Sequence, residues 1–159
     1  LERVNKILSH PKYLENLEKN LKAEKERQFC RHNLQHFLDV ARVAYIISLE
    51  RELNLKKEVV YAAALLHDIG RWKQYQEGLD HAIVSAELAK EILYETGFKE
   101  DEVAMILQAI QKHRRGKDLI SALDKVLYEG DKLSRPCIEC SQINECNRFI
   151  HQDKAEIKY

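Results

Sequence analysis

Apolar residues recur along this chain at intervals of three and four, and no stretch shows a convincing alternation of two. Helices have the first period and half-buried strands the second, so the pattern reads as helical throughout. The charged segment 13–28 carries Leu14, Leu17 and Leu21 at helical spacing, with Pro11 at a first-turn position. Leu34, Phe37, Leu38, Ala41, Ala44, Tyr45 and Ile47 predict a strong helix over about 33–52, with Asn33 as its N-cap. Residues 58–69 are apolar nearly all round and predict a central buried helix, broken by Gly70. The polar stretch 71–80, with Gly78, reads as a loop. Asp80 can cap a helix over 81–96 that Gly97 ends. Glu100, Asp101 and Glu102 suit the first turn of the next helix, which carries Val103, Ile106, Leu107 and Ile110. A basic turn at 114–117 leads to a last long helix over 119–133. Pro136 ends it, and the tail beyond is polar and irregular. The expected fold is all-α, a compact multi-helix bundle.

Composition narrows the class. The 159 residues are one domain's worth. Hydrophobic residues at 45% and charged residues at 33% exclude a disordered chain. Lys+Arg and Asp+Glu are 26 each, and this zero balance argues against a general nucleic-acid coat or a basic membrane binder. It leaves a local basic pocket open. The longest apolar run, residues 59–66, falls far short of the ~20 residues a membrane span needs. The first twenty residues are charged throughout, so no secretory signal is expected, and Leu1 in place of Met suggests a trimmed terminus. A cytoplasmic location and one domain over 1–159 are the expectation, with a helical extension over about 1–28 and a cysteine-containing tail over about 136–159.

The candidate chemistry begins with His67–Asp68, at the end of the most apolar helix. An unpaired buried carboxylate costs several kcal/mol, so it must meet a cation or hydrogen bonds. A divalent metal would meet both residues, because imidazole and carboxylate are its usual ligands. His36, His81, His113 and Asp131 fall at helix ends or on faces that also bear apolar residues. A single such histidine is most often a satisfied half-buried side chain, but six candidates spread over separate helices favour a common centre. His32, one turn before His36, reads as a polar residue at a helix start, as an aid to phosphate binding, or as a group that orients a metal ligand. Arg71, Arg114, Arg115, Lys132 and Arg135 border these positions, as phosphate binders or as solvated charges. Asp124 and Glu129 read as helix-surface acids. Trp72 and Tyr75 read as lid or core, with base stacking as the alternative.

The order of these residues resembles the HD-domain metal-dependent phosphohydrolases: a His, a His-Asp pair and a distal Asp on separate helices. Here these are His36-Phe-Leu-Asp-Val-Ala, Ala-Leu-Leu-His67-Asp68-Ile-Gly-Arg and Gly-Asp131-Lys-Leu-Ser, within about residues 29–135. His81, followed by Ser85-Ala86, and Ala109-Ile110-Gln-Lys-His113 are similar to the two extra histidines of the binuclear branch, which includes bacterial diadenosine tetraphosphate hydrolases. The resemblance implies one metal on His36, His67, Asp68 and Asp131, and a second on His81 and His113 with Asp68 bridging. It implies divalent iron, manganese, cobalt or nickel, and attack of metal-bound hydroxide on a nucleotide or another small phosphate ester or anhydride. Asp68 and Arg71 would be the catalytic residues, and Arg71, His32, Arg114 and Arg135 would hold phosphate. A mononuclear site, a di-iron oxygenase of the same fold and a non-catalytic metal- or nucleotide-binding module are the alternatives. The Gly-Tyr-Pro motif of the cyclic-di-GMP phosphodiesterases is absent from this sequence. A small phosphate compound is the expected partner, without membrane or extended nucleic acid, and oligomeric state stays open.

The tail carries Cys137-Ile-Glu-Cys140-Ser-Gln-Ile-Asn-Glu-Cys146. Three thiols need a fourth partner for a closed metal site, and Cys30 or His151 could serve. Zinc, an iron–sulfur cluster, a redox switch and reduced thiols packing the tail are the readings.

Overall fold

The computed structural model describes residues 1–149 and 154–159 and turns the three-and-four pattern into helices, with no strand among the described residues. In chain order these are α1 (Glu2–Ser9), α2 (Pro11–Ala23), α3 (Leu34–Glu50), α4 (Lys57–Leu66), α5 (Arg71–Glu77), α6 (His81–Glu95), α7 (Glu100–Lys112) and α8 (Ala122–Leu133). Two single-turn 3₁₀ helices, Cys137–Glu139 and Ile143–Glu145, follow. No helix of the described residues is long and apolar enough to cross a membrane.

The all-round apolar helix takes the centre. Val59, Val60 and every residue from Ala62 to Leu66 are buried, and α4 touches α1, α3, α6, α7 and α8. Full burial of side chains such as Leu65 and Leu66 stabilises by roughly 1.5–3 kcal/mol each. Asn33 and Asp80 cap as expected, accepting from the His36 N–H at 2.9 Å and the Ala82 N–H at 3.0 Å. Helix α8 lies close on α3 at Gly130, where a Cβ would stand 2.9 Å from the Ala44 Cβ and 3.0 Å from the Val40 carbonyl oxygen. The missing side chain there lets the neighbouring Asp131 approach the core.

Four expectations need correction. Residues 71–77 are helical, not a loop. Trp72 anchors α5 to α2, its backbone N–H donating to Asn20 Oδ1 and its indole N–H to Asn16 Oδ1 at 2.8 and 2.9 Å. Trp72 is therefore an anchor in the packing rather than a lid. Helix α2 stops at Ala23 instead of running on to residue 28, and its buried face holds Asn16 and Asn20 while Leu14 and Leu21 stay half exposed. Asp124 is fully buried, not a surface acid. Its carboxylate accepts from the Ile120 and Ser121 N–H groups, the Ser121 hydroxyl and the Gln108 amide, which fixes the start of α8 at Ala122 rather than near 119. Glu129 does face outward, paired with Arg51 at 2.6 Å.

Helix α1 is tied across the core by charge. Arg3 donates to Glu58 at 2.7 Å and to Glu102 at 2.5 Å, and Lys56 reaches Glu102 at 2.9 Å. The Arg3 hydrogen bond, against the opposing effect of burial, pulls the Glu102 pKa down from 4.5 to about 2. A carboxyl whose folded pKa is depressed contributes stability above its unfolded pKa and loses it as pH falls through the folded one. Urea unfolding of the wild type should therefore show stability declining between pH 4.5 and about 2, and Glu102→Gln should flatten that slope. An unchanged slope in the variant would show that the contact carries no folding energy.

Candidate metal centre

Five helix ends converge on one cavity. His36 lies in the first turn of α3, and His67 and Asp68 directly follow α4. His81 opens α6, His113 directly follows α7, and Asp131 lies in the last turn of α8. All six side chains are buried. The helices place these polar groups where their own backbone ladders run out, so the chain can bring donors inward without breaking a helix interior.

Asp68 sits between two groups of imidazoles. Its Oδ2 is 3.4 Å from His67 Nε2 and 3.5 Å from His32 Nε2. Its Oδ1 is 3.1 Å from His81 Nε2 and 3.4 Å from His113 Nε2. Asp131 Oδ1 lies 3.3 Å from His36 Nε2 and 3.8 Å from His67 Nε2. Three sets of donor atoms each fall within 4.8 Å of one another: His32, His36 and Asp68; His36, His67 and Asp131; His67, Asp68 and His113. The outer ring nitrogens are already committed. His67 Nδ1 donates to the Ala64 carbonyl and His113 Nδ1 to the Ile110 carbonyl, both at 2.6 Å. His81 Nδ1 faces the Gln74 side-chain oxygen, and His32 Nδ1 donates to Glu24 at 2.5 Å. Each bond fixes a tautomer that turns the Nε2 lone pair inward, the arrangement a metal-ligating histidine requires. His67 Nε2 and Asp68 Oδ1 are buried without a hydrogen-bond partner. Orphaned donor atoms in a His and carboxylate set fit a divalent cation.

The electrostatics show the same demand for positive charge. With no cation beside it, burial would lower the His67 pKa, but Asp68 and Asp131 outweigh it and raise the ring to about 9, so Nε2 takes up a proton where a metal ion would otherwise draw on its lone pair. Burial holds His36 down at about 4 and His81 at about 3, so both stay neutral near pH 7. The neighbouring imidazoles hold Asp68 and Asp131 well below the usual carboxylate range against the opposing effect of burial. Permanent cations supply the rest. Arg71 lies 3.6 Å from Asp68 Oδ1 and donates to His81 Nε2 at 3.0 Å. Lys132 and Arg135 reach Asp131 at 2.5 and 2.8 Å.

His36, His67, Asp68, His81, His113 and Asp131 are thus brought together. His32, just ahead of the α3 N-cap Asn33, joins them as a buried side chain aimed at Asp68. Arg71, Lys132 and Arg135 line the same cavity of about 180 Å³. Arg114 stands at its rim, held by Asp80 at 2.9 Å, and Arg115 points largely to solvent. Tyr75 donates from its hydroxyl to Glu24 at 2.6 Å and accepts from Arg71 at 3.1 Å. Sequence reasoning missed Glu24 and Gln74, the two residues that orient His32 and His81. Glu24 sits in a run of charges that reads as solvated, and Gln74 lies in the stretch read as loop. Cys30, Cys137, Cys140 and Cys146 stand apart in a neighbouring cavity, and His151 lies outside the described residues.

Comparison with known proteins gives this geometry a context. A family model for the HD domain matches residues 33–135, which span all six donors. An uncharacterized protein of Clostridium beijerinckii is 48% identical over the whole of both chains. Ribonuclease Y of Mycoplasma mycoides is 27% identical over 75% of this chain and 26% of its own length. Ribonuclease Y of Pelobacter propionicus is 32% identical over 63% of this chain and 17% of its own. The chain therefore spans about a quarter or less of these ribonucleases. A crystal structure of a predicted HD superfamily hydrolase from an uncultured Thermotogales bacterium aligns with a TM-score of 0.58 at 32% identity, over 76% of this chain and 66% of that one.

Asp68 faces four imidazoles, so Asp68→Ala should abolish divalent-metal binding with little change in helix content. Elemental analysis beside far-UV circular dichroism would check this. A folded variant with wild-type metal content would move the binding site elsewhere.

Proposed function

The chain belongs to the HD-domain family, and we propose that within it the protein is a two-metal phosphohydrolase acting on a nucleotide or another small phosphate ester or anhydride. The observation that carries this reading is Asp68, with one carboxylate oxygen turned to His32 and His67 and the other to His81 and His113. A shared carboxylate of this kind suits the ion separation of about 3.5–4 Å found in two-metal hydrolytic sites. The donor pattern resembles that of the binuclear branch, which includes bacterial diadenosine tetraphosphate hydrolases. Bound divalent ions would lower the pKa of a coordinated water from about 15.7 towards 7 and polarise a phosphoryl oxygen.

The chain's own residues do the remaining work. Arg71 stands on the Oδ1 side of Asp68, where its guanidinium can neutralise charge developing on a phosphoryl oxygen. Lys132 and Arg135 stand on the Asp131 side and can hold a second oxygen or a neighbouring phosphate. Glu24 and Gln74 keep His32 and His81 aimed inward. The cavity of about 180 Å³ suits a phosphoryl group. His32, Arg71, Lys132 and Arg135 also border an adjoining cavity, so a further phosphate of the substrate can meet the same cations on that side. The name ribonuclease Y specifies RNA for those proteins. The zero net charge and the small size of the central cavity, about 180 Å³, favour a small phosphate compound here over an extended strand.

A phosphate-release panel covering nucleoside mono-, di- and triphosphates, dinucleoside polyphosphates and short RNA, run with added iron, manganese, cobalt or nickel, tests the proposal. Turnover of at least one small phosphate compound is expected. Arg71→Ala should lower kcat/KM by about 10²-fold, the scale of losing one donor to developing charge, while metal content holds. His81→Ala should reduce bound metal from two ions to about one, following the two-metal arrangement. Oxygen consumption by the ferrous protein without any phosphate release would overturn the reading.

A further inference from the structure

The four cysteines carry an inference independent of the histidine–aspartate centre. Cys30, in the connection between α2 and α3, and Cys137, Cys140 and Cys146, in the tail after α8, line one cavity of about 540 Å³. All four are free thiols and half-buried. The two 3₁₀ turns that carry the tail bury none of their residues, and Ile138 is largely exposed. Apolar burial in these two turns therefore does little to hold the segment against the α2–α3 connection.

The possible ligands differ in the sulfur spacing they require. A single tetrahedral zinc ion at ~2.3 Å from each sulfur draws its thiolates to about 3.8 Å from one another. Among the described residues no three cysteine sulfurs lie within 4.8 Å of one another. A cluster of several irons bridged by sulfide spreads its four thiolates further apart and takes the same Cys₄ set. Charge agrees, because Arg27, Arg135 and Arg148 line the cavity against a single carboxylate, Glu145. The Arg148 guanidinium approaches Cys137 Sγ at 3.9 Å.

We propose that Cys30, Cys137, Cys140 and Cys146 bind an iron–sulfur cluster that pins the C-terminal tail beside the histidine–aspartate centre. Arg135 connects the two, since it lines the cysteine cavity and donates to Asp131. The site is distinct in chemistry from the first: it takes inorganic sulfide, which the imidazoles and carboxylates do not.

The test uses the full chain, purified without oxygen and reconstituted with ferrous iron and sulfide, then desalted. Acid-labile sulfide at about two to four equivalents per chain, with visible charge-transfer absorption, is expected for a Cys₄ cluster. Cys30→Ser and Cys140→Ser should each cut labile sulfide at least about fivefold with unchanged far-UV circular dichroism. Asp68→Ala, which removes the shared ligand of the other centre, should leave it unchanged. Three results would overturn the assignment: a wild-type chain that retains no sulfide, one zinc ion bound without sulfide and lost in the cysteine variants, or labile sulfide lost in Asp68→Ala.

Discussion

Two carboxylates, Asp68 and Asp131, lie buried in the same cavity, and the rest of the structure is arranged around that fact. Unpaired, either would cost several kcal/mol, so the surroundings must supply positive charge and directed donors. Five helices end at this point rather than pass it, which lets histidines from α3, α6 and the ends of α4 and α7 face inward while their backbones remain satisfied. Gly130 belongs to the same solution: without a side chain there, α8 rests on α3 and carries Asp131 to the others. Chemistry and packing are therefore set by one requirement, and α4 meets both by being apolar on nearly every face from Val59 until His67.

The sequence revealed most where periodicity and chemistry coincide. His67–Asp68 stood out because a charged pair ends an otherwise apolar helix, and Asn33 and Asp80 were legible as caps from position alone. The missed features depend on contacts between residues far apart in the chain. Glu24 and His32 are eight positions apart across a connection with no periodic signal, and Gln74 acts through a helix that exists because Trp72 is held by Asn16 and Asn20 of α2. Those asparagines also change the reading of α2: they share its buried face with Tyr13, and of its leucines at helical spacing Leu17 packs against the core while Leu14 and Leu21 do not. Asp124 was misread for a related reason. An acid three residues beyond Ser121 looks solvent-facing in a linear pattern, whereas it closes the first turn of α8 from the inside.

The cations around the centre have two duties that sequence order does not separate. Arg71 and Arg135 balance the carboxylates, and both also border open cavity. A group already positioned to offset negative charge needs little movement to meet an incoming phosphoryl oxygen, which is how preorganised electrostatics lower a barrier. Arg114 shows the contrast: engaged by Asp80 at the rim, it is tied to the start of α6 instead.

The six converging donors come from positions 36 to 131, with no local pair beyond His67 and Asp68. Such a constellation exists only once distant segments have docked, because loop closure across most of the chain must come first. An ion that requires this constellation recognises the native ensemble and ignores the denatured one. The conformational equilibrium of the chain then follows the free concentration of that ion by mass action, so its melting behaviour is a property of the solution as much as of the polypeptide.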